Sequence, residues 1–79
     1  MDLYERIKRN PHNVTPKQLI ELLKSYGFEL RNTVGDHEIY KRPGYKRPQS
    51  VPVSHNPLAI HIVKEVLRTI QEIRDLEQE

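Results

Sequence analysis

Seventy-nine residues, with 13 Lys and Arg against 11 Asp and Glu, give a chain of net charge +2 that suits one domain and is too short for two domains or a deep enclosed substrate chamber. There is no cysteine, which excludes disulfides, thiolate catalysis and cysteine-based zinc sites. No apolar run approaches the roughly 20 residues that span a bilayer, and the charged opening MDLYERIKRN is unlike a signal peptide, so a cytoplasmic protein without a membrane segment is expected.

Residues 2–9 place Leu3 and Ile7 at helical spacing, and Pro11 behind Asn10 stops the pattern, which predicts a short first helix. A stronger start signal follows. Thr15 can cap, Pro16 suits the first helical position, Gln18 completes a Thr-x-x-Gln capping box, and Val14 can staple against Leu19. Leu19, Ile20, Leu22, Leu23 and Tyr26 then keep a period of 3.6, and Gly27 is the residue expected just past a helix end; a helix is predicted over 16–26.

After Gly27 the period changes to two. Phe28 and Leu30 alternate with Glu29 and Arg31, the pattern of a half-buried strand over 28–32, and Val34-Gly35-Asp36 reads as a turn. Two more strands are predicted over 37–42 and 49–54, with Val51 and Val53 on one face and a Pro- and Gly-containing loop over 43–48 between them. Pro52 argues for an edge position or a bulge. Asn56-Pro57 then marks a helix start, and Ala59, Ile62, Val63, Val66, Ile70 and Ile73 form an apolar stripe to about Leu76. The sum is α+β: a short helix, a helix, three antiparallel strands and a helix, with the helices on one face of the sheet. It forms a single domain over 1–79, in which 1–13 is a short N-terminal helical extension and 14–76 the core.

Charge is unevenly spread. Arg31, Lys41, Arg42, Lys46 and Arg47 face only two acids between positions 31 and 47, while positions 71–79 hold Glu72, Asp75, Glu77 and Glu79 against Arg74. A hairpin carrying Lys41, Arg42, Lys46 and Arg47 would present four cations to one polyanion, and Tyr45 at its tip would stack on an unpaired base. The plainer reading is a solvated turn.

Just upstream stands His37, and imidazole is the side chain that both takes and gives a proton near neutrality. RNA carries its own nucleophile: a deprotonated 2′-hydroxyl attacks the adjacent phosphorus, and the 5′-oxygen leaves once protonated, so a histidine with cationic phosphate ligands suffices and no cofactor is required. The alternative is a strand histidine that merely packs. By alternation His37 shares a face with Ile39 and Lys41, and Asp36, Glu38, Tyr40 and Arg42 share the other. His12 lies in a loop, His55 before the last helix and His61 in its first turns. His55 and His61 do not match the i, i+4 spacing of paired ligands, so no metal site is expected.

The stretches NPHNVTPKQLIELLKSYGFEL, GDHEIYKRP and SVPVSHNPLAIHIVKEVLRTI together resemble the HicA toxins of bacterial toxin–antitoxin systems, over almost the entire chain. The resemblance implies a fold like the double-stranded-RNA-binding domain and an mRNA interferase that cleaves RNA without metal, with a HicB-type antitoxin as partner. It makes His37 the catalytic histidine and Gly35 the glycine that lets substrate approach the preceding turn. This chain has Gly35-Asp36-His37 where the family usually has Gly-Ser-His, and Ser54 where a basic residue often precedes the histidine, which leaves His55 a secondary candidate. Asp36 is read as an ordinary turn aspartate; the other reading is a hydrogen bond to a ring nitrogen of His37. The leading expectation is therefore a ribonuclease toxin that holds mRNA through Lys41, Arg42, Tyr45, Lys46 and Arg47. A non-catalytic RNA-binding module on the same fold, and a protein-interaction domain whose basic loop meets an acidic partner, are the alternatives.

Overall fold

The computed structural model describes residues 2–78. Helix α1 (Leu3–Arg9) leads through a single 3-10 turn (Pro11–Asn13) to α2 (Pro16–Ser25), followed by strands β1 (Glu29–Val34), β2 (His37–Lys41) and β3 (Gln49–Pro52) and a long α3 (Ile60–Glu77). This is the α+β order expected from the sequence. The three strands form one antiparallel sheet in the order β1-β2-β3, so Pro52 does lie on an edge strand.

Local chemistry explains α2. The Thr15 hydroxyl accepts from the Gln18 amide at 3.2 Å while the Gln18 side chain accepts from the Thr15 amide at 3.0 Å, which closes the capping box. At the other end Gly27, at φ 88°, permits the amides of Gly27 and Phe28 to reach the carbonyls of Lys24 and Leu23, the Schellman arrangement. Leu19, Leu22 and Leu23 on its inner face are buried.

Residues paired across strands share a face. Glu38 pairs with Val51 and Tyr40 with Gln49, and this face meets the helices; His37 pairs with Pro52 and Ile39 with Ser50 on the open face. Tyr40 and Val51 join Val14, Phe28, Leu58, Val63, Val66, Ile70 and Ile73 in one core. Tyr4 and Ile7, in the segment read as an extension, belong to that same core. Tyr4 donates its hydroxyl to Gln71 at 2.7 Å, and the Arg74 guanidinium sits 4.4 Å over its ring.

Three expectations are corrected. First, β1 is not half-buried: all six residues are exposed, Leu30 and Val34 among them, because α2 packs toward β3 and leaves β1 overhanging. Alternation also breaks within it. Leu30 pairs with Tyr40 and Asn32 with Ile39, so Arg31 is an extra, unpaired residue, a β-bulge that turns Val34 onto the open face opposite His37. Second, β3 ends at Pro52, and Val53 is exposed in the turn beyond. Third, α3 begins at Ile60 behind Ala59 instead of at Asn56-Pro57, which forms a bend with a cis peptide bond. Burial of Leu58 in the core, with its amide donating to the Val14 carbonyl at 2.9 Å, holds the chain extended there.

Candidate active site

His37 opens β2 directly after the two-residue turn Gly35-Asp36, which joins β1 to β2 with Val34 and His37 as the closing pair. Gly35 has φ 59° at the first central position, where type II′ hairpins place glycine, and nothing lies within 4 Å of where a β-carbon would be. The approach to His37 over this turn is open.

The β2–β3 pairing brings a second segment to the same end of the sheet. Beyond Pro52, the Val53 amide donates to the Asp36 carbonyl at 2.8 Å, so the turn over Val53 and Ser54 lies against the Gly35-Asp36 turn. Around Asp36 this gathers three side chains. The Ser54 hydroxyl donates to its Oδ2, His37 Nε2 stands 3.5 Å from Oδ1, and His55 Nε2 stands 4.0 Å from Oδ2. On its other nitrogen, Nδ1, His37 lies 3.0 Å from Ser50 Oγ. Both histidines are solvent-exposed, His37 at 49% and His55 at 64% of their side chains.

Electrostatics follow from this geometry. The Ser54 hydroxyl above all holds the Asp36 carboxyl below the usual carboxylate range; desolvation, the next largest effect, opposes it, and the neighbouring His37, a backbone amide and His55 add smaller lowering effects. Asp36 is thus an anion flanked by two imidazoles, more than the turn residue of the plainer reading. His37 also borders a groove of about 250 Å³ shared with Ser50 of β3 and with Ile62 and Glu65 of α3. Among the described residues no group of three His, Asp or Glu side chains converges as metal ligands do. His12 and His61 lie apart from this cluster, exposed in the 3-10 turn and in the first turn of α3.

The basic loop sits at the opposite end of β2, so its cations do not surround His37. Two of the four are already engaged by α3. Arg47 Nη2 donates to Glu72 Oε1 at 2.6 Å and to the Tyr45 hydroxyl at 2.8 Å, and that hydroxyl donates to Glu72 Oε1 at 2.8 Å. Arg42 Nη2 donates to Glu77 Oε2 at 3.2 Å. Tyr45 is partly buried edge-on to Phe28, ring centroids 6.1 Å apart, instead of standing at an exposed tip. Lys41 and Lys46 are exposed and make no ion pair among the described residues. The pairing of the loop with the acidic half of α3 is foreshadowed in the sequence only by the opposite signs of the two segments. Ser50 carries no signal there, since serines are ordinary in strands, and Ser54 stands out only as a departure from the basic residue often found before the histidine, not as a partner of Asp36.

No helix of the described residues is long and apolar enough to cross a membrane. No curated protein matches the chain, and no solved structure does. A family model does match: that described as HicA toxin of bacterial toxin–antitoxin covers residues 16–71, from the first residue of α2 into the C-terminal half of α3, and so includes every strand and both histidines of the cluster. The chain belongs to the HicA toxins of bacterial toxin–antitoxin systems.

Proposed function

We propose that this toxin is an endoribonuclease that cleaves mRNA without a metal ion, with His37 transferring the proton, and that a HicB-type antitoxin restrains it. The observation that carries the reading is an exposed imidazole beside a glycine turn with open space above it. Because RNA supplies the attacking 2′-oxygen, the protein has only to move protons and hold the backbone. As base, His37 takes the 2′-hydroxyl proton; the oxygen bonds to phosphorus, the bond to the 5′-oxygen breaks, and that oxygen leaves with the proton that the His37 imidazolium returns. The products are a 2′,3′-cyclic phosphate and a 5′-hydroxyl. Ser50 on Nδ1 fixes the ring orientation, and His55 stands close enough to Asp36 to serve as a second proton carrier. Lys41 and Lys46, with Arg42 and Arg47 behind them, supply phosphate contacts, and Tyr45, still held by Glu72, offers the exposed part of its ring for stacking.

Asp36 favours a second reading, a non-catalytic RNA-binding module, since a carboxylate between two histidines occupies ground that a phosphate needs. The two readings separate on incubating the protein with single-stranded RNA in excess EDTA. For the enzyme, wild type cleaves and leaves cyclic phosphate ends, while His37→Ala binds the RNA undiminished and leaves it intact. Binding without cleavage by both proteins removes the enzymatic reading.

A further inference from the structure

The bulge in β1 has a chemical product. Arg31, the residue without a cross-strand partner, lines a cleft of about 270 Å³ together with Lys41, Arg42 and Tyr45, and with Glu29, which stands across the strands from Lys41 without closing an ion pair to it. The cleft lies at the far end of β2 from His37. Its inner wall is fixed, since Arg42 is tied to Glu77 and Tyr45 to Glu72, both on α3. Arg31 and Lys41 are exposed, and among the described residues neither makes an ion pair. Two unpaired cations beside a third whose charge is only partly answered, in a pre-formed polar cleft, are the chemistry of an anion site, and its size suits one phosphate with part of a ribose.

We infer that Arg31 and Lys41 form a phosphate subsite for single-stranded RNA, separate from the scissile position; the inference rests on the RNA-cleaving reading above. Lys41 and His37 share the open face of the sheet, four residues apart along β2, or about 13 Å at the rise of a strand. That separation exceeds the reach of the scissile phosphate's immediate neighbours, so the subsite takes a phosphate beyond them. The RNA then runs along β2, over Ile39, from the histidine cluster to the cleft. Lys46 and Arg47, on the far side of the loop, do not line the cleft.

The test uses the full chain and a 2′-O-methyl RNA, which binds but offers no nucleophile, in which each phosphate in turn is replaced by an uncharged methylphosphonate. For wild type, neutralising one phosphate that is neither the scissile one nor its neighbour weakens binding about tenfold. In Arg31→Ala/Lys41→Ala binding is weaker throughout, that position no longer matters, and the slope of log affinity against log salt falls by about 0.7, one phosphate's share on a single strand. Lys17→Ala/Lys24→Ala, the same loss of two charges at exposed positions of α2, binds as wild type. The subsite is overturned when the Arg31→Ala/Lys41→Ala variant answers every methylphosphonate as wild type does, when Lys17→Ala/Lys24→Ala weakens binding equally, or when the sensitive phosphate adjoins the scissile bond. Cleavage of the matching unmethylated RNA is followed in parallel: phosphate sensitivity without cleavage sinks the enzymatic reading and keeps the subsite, cleavage without it does the reverse, and absence of any RNA binding sinks both.

Discussion

At Asp36 a carboxylate stands where an incoming phosphate needs positive charge, and the two imidazoles and the Ser54 hydroxyl around it are the groups an RNA phosphate would seek. In the proposed ribonuclease, RNA must displace this internal anion or endure its repulsion. Asp36→Asn removes the charge and keeps the shape, so affinity for uncleavable RNA is expected to rise about fivefold, the worth of a unit charge at ~4 Å in water. Fluorescence anisotropy measures it. The sign matters: a carboxylate that instead aided binding by orienting His37 would make the same substitution weaken it. The Asp36 pKa is lowered, so the carboxylate persists through the physiological range and neutralises only in acid, below the range where an ordinary aspartate does. Acidification to the ordinary aspartate range alone therefore does not mimic the substitution.

Between elements, the decisive contact joins the β2–β3 loop to α3. Glu72 accepts from both Tyr45 and Arg47, which holds the Glu72 carboxyl below its usual range, and Arg47 is correspondingly held in its charged form. In Glu72→Ala both donors lose their shared acceptor. Amide exchange at residues 44–47 is expected to quicken while exchange in β2 stays unchanged, and hydrogen–deuterium exchange with mass spectrometry resolves the two; an unchanged loop would show that Phe28 packing alone holds Tyr45. Elements differ in how legible they are from sequence, and this contact shows why. Helix α2 is readable because Thr15, Gln18 and Gly27 act on their own neighbours in the chain. The start of α3 is not, because it depends on Leu58 reaching the core beside Val14, distant in sequence. Nor is the β1 bulge, since alternation through Leu30 promises a regular strand and only pairing with Tyr40 and Ile39 reveals Arg31 as surplus. In the site, His37 and Gly35 are visible from their motif. Asp36, Ser54 and His55 as a unit exist only once β3 lies beside β2, and the sequence also hides that Arg42, Tyr45 and Arg47 are engaged.

For the whole molecule, stability against pH is set in part by the central strand. Tyr40 is 2% exposed and donates to Glu38 at 2.8 Å. Desolvation first, then the hydrogen bond and charge of Glu38, push its phenol from 10.0 to about 12. A raised pKa favours the protonated phenol in the folded state, so its contribution is complete below about pH 10 and is lost as pH climbs toward about 12. Urea titrations across that window are expected to show wild type losing on the order of 2 kcal/mol more than Tyr40→Phe; parallel losses in the two proteins would mean that other groups govern alkaline unfolding. The same buried phenol places Glu38 inside the helix-covered face, away from the proposed RNA path, so the open face between His37 and Lys41 presents Ile39 and no carboxylate from β2.

Helix α3 touches both ends of that path. Near its start Ile62 and Glu65 border the groove at His37, and near its end Glu72 and Glu77 hold the loop that walls the basic cleft. Eighteen residues of continuous helix make a strut about 27 Å long, and it cannot stretch or shorten as a loop can. For the proposed ribonuclease, the interval between proton transfer and backbone grip is therefore a ruler built into the fold: it counts the nucleotides between the scissile phosphate and the one the cleft holds, with no base read.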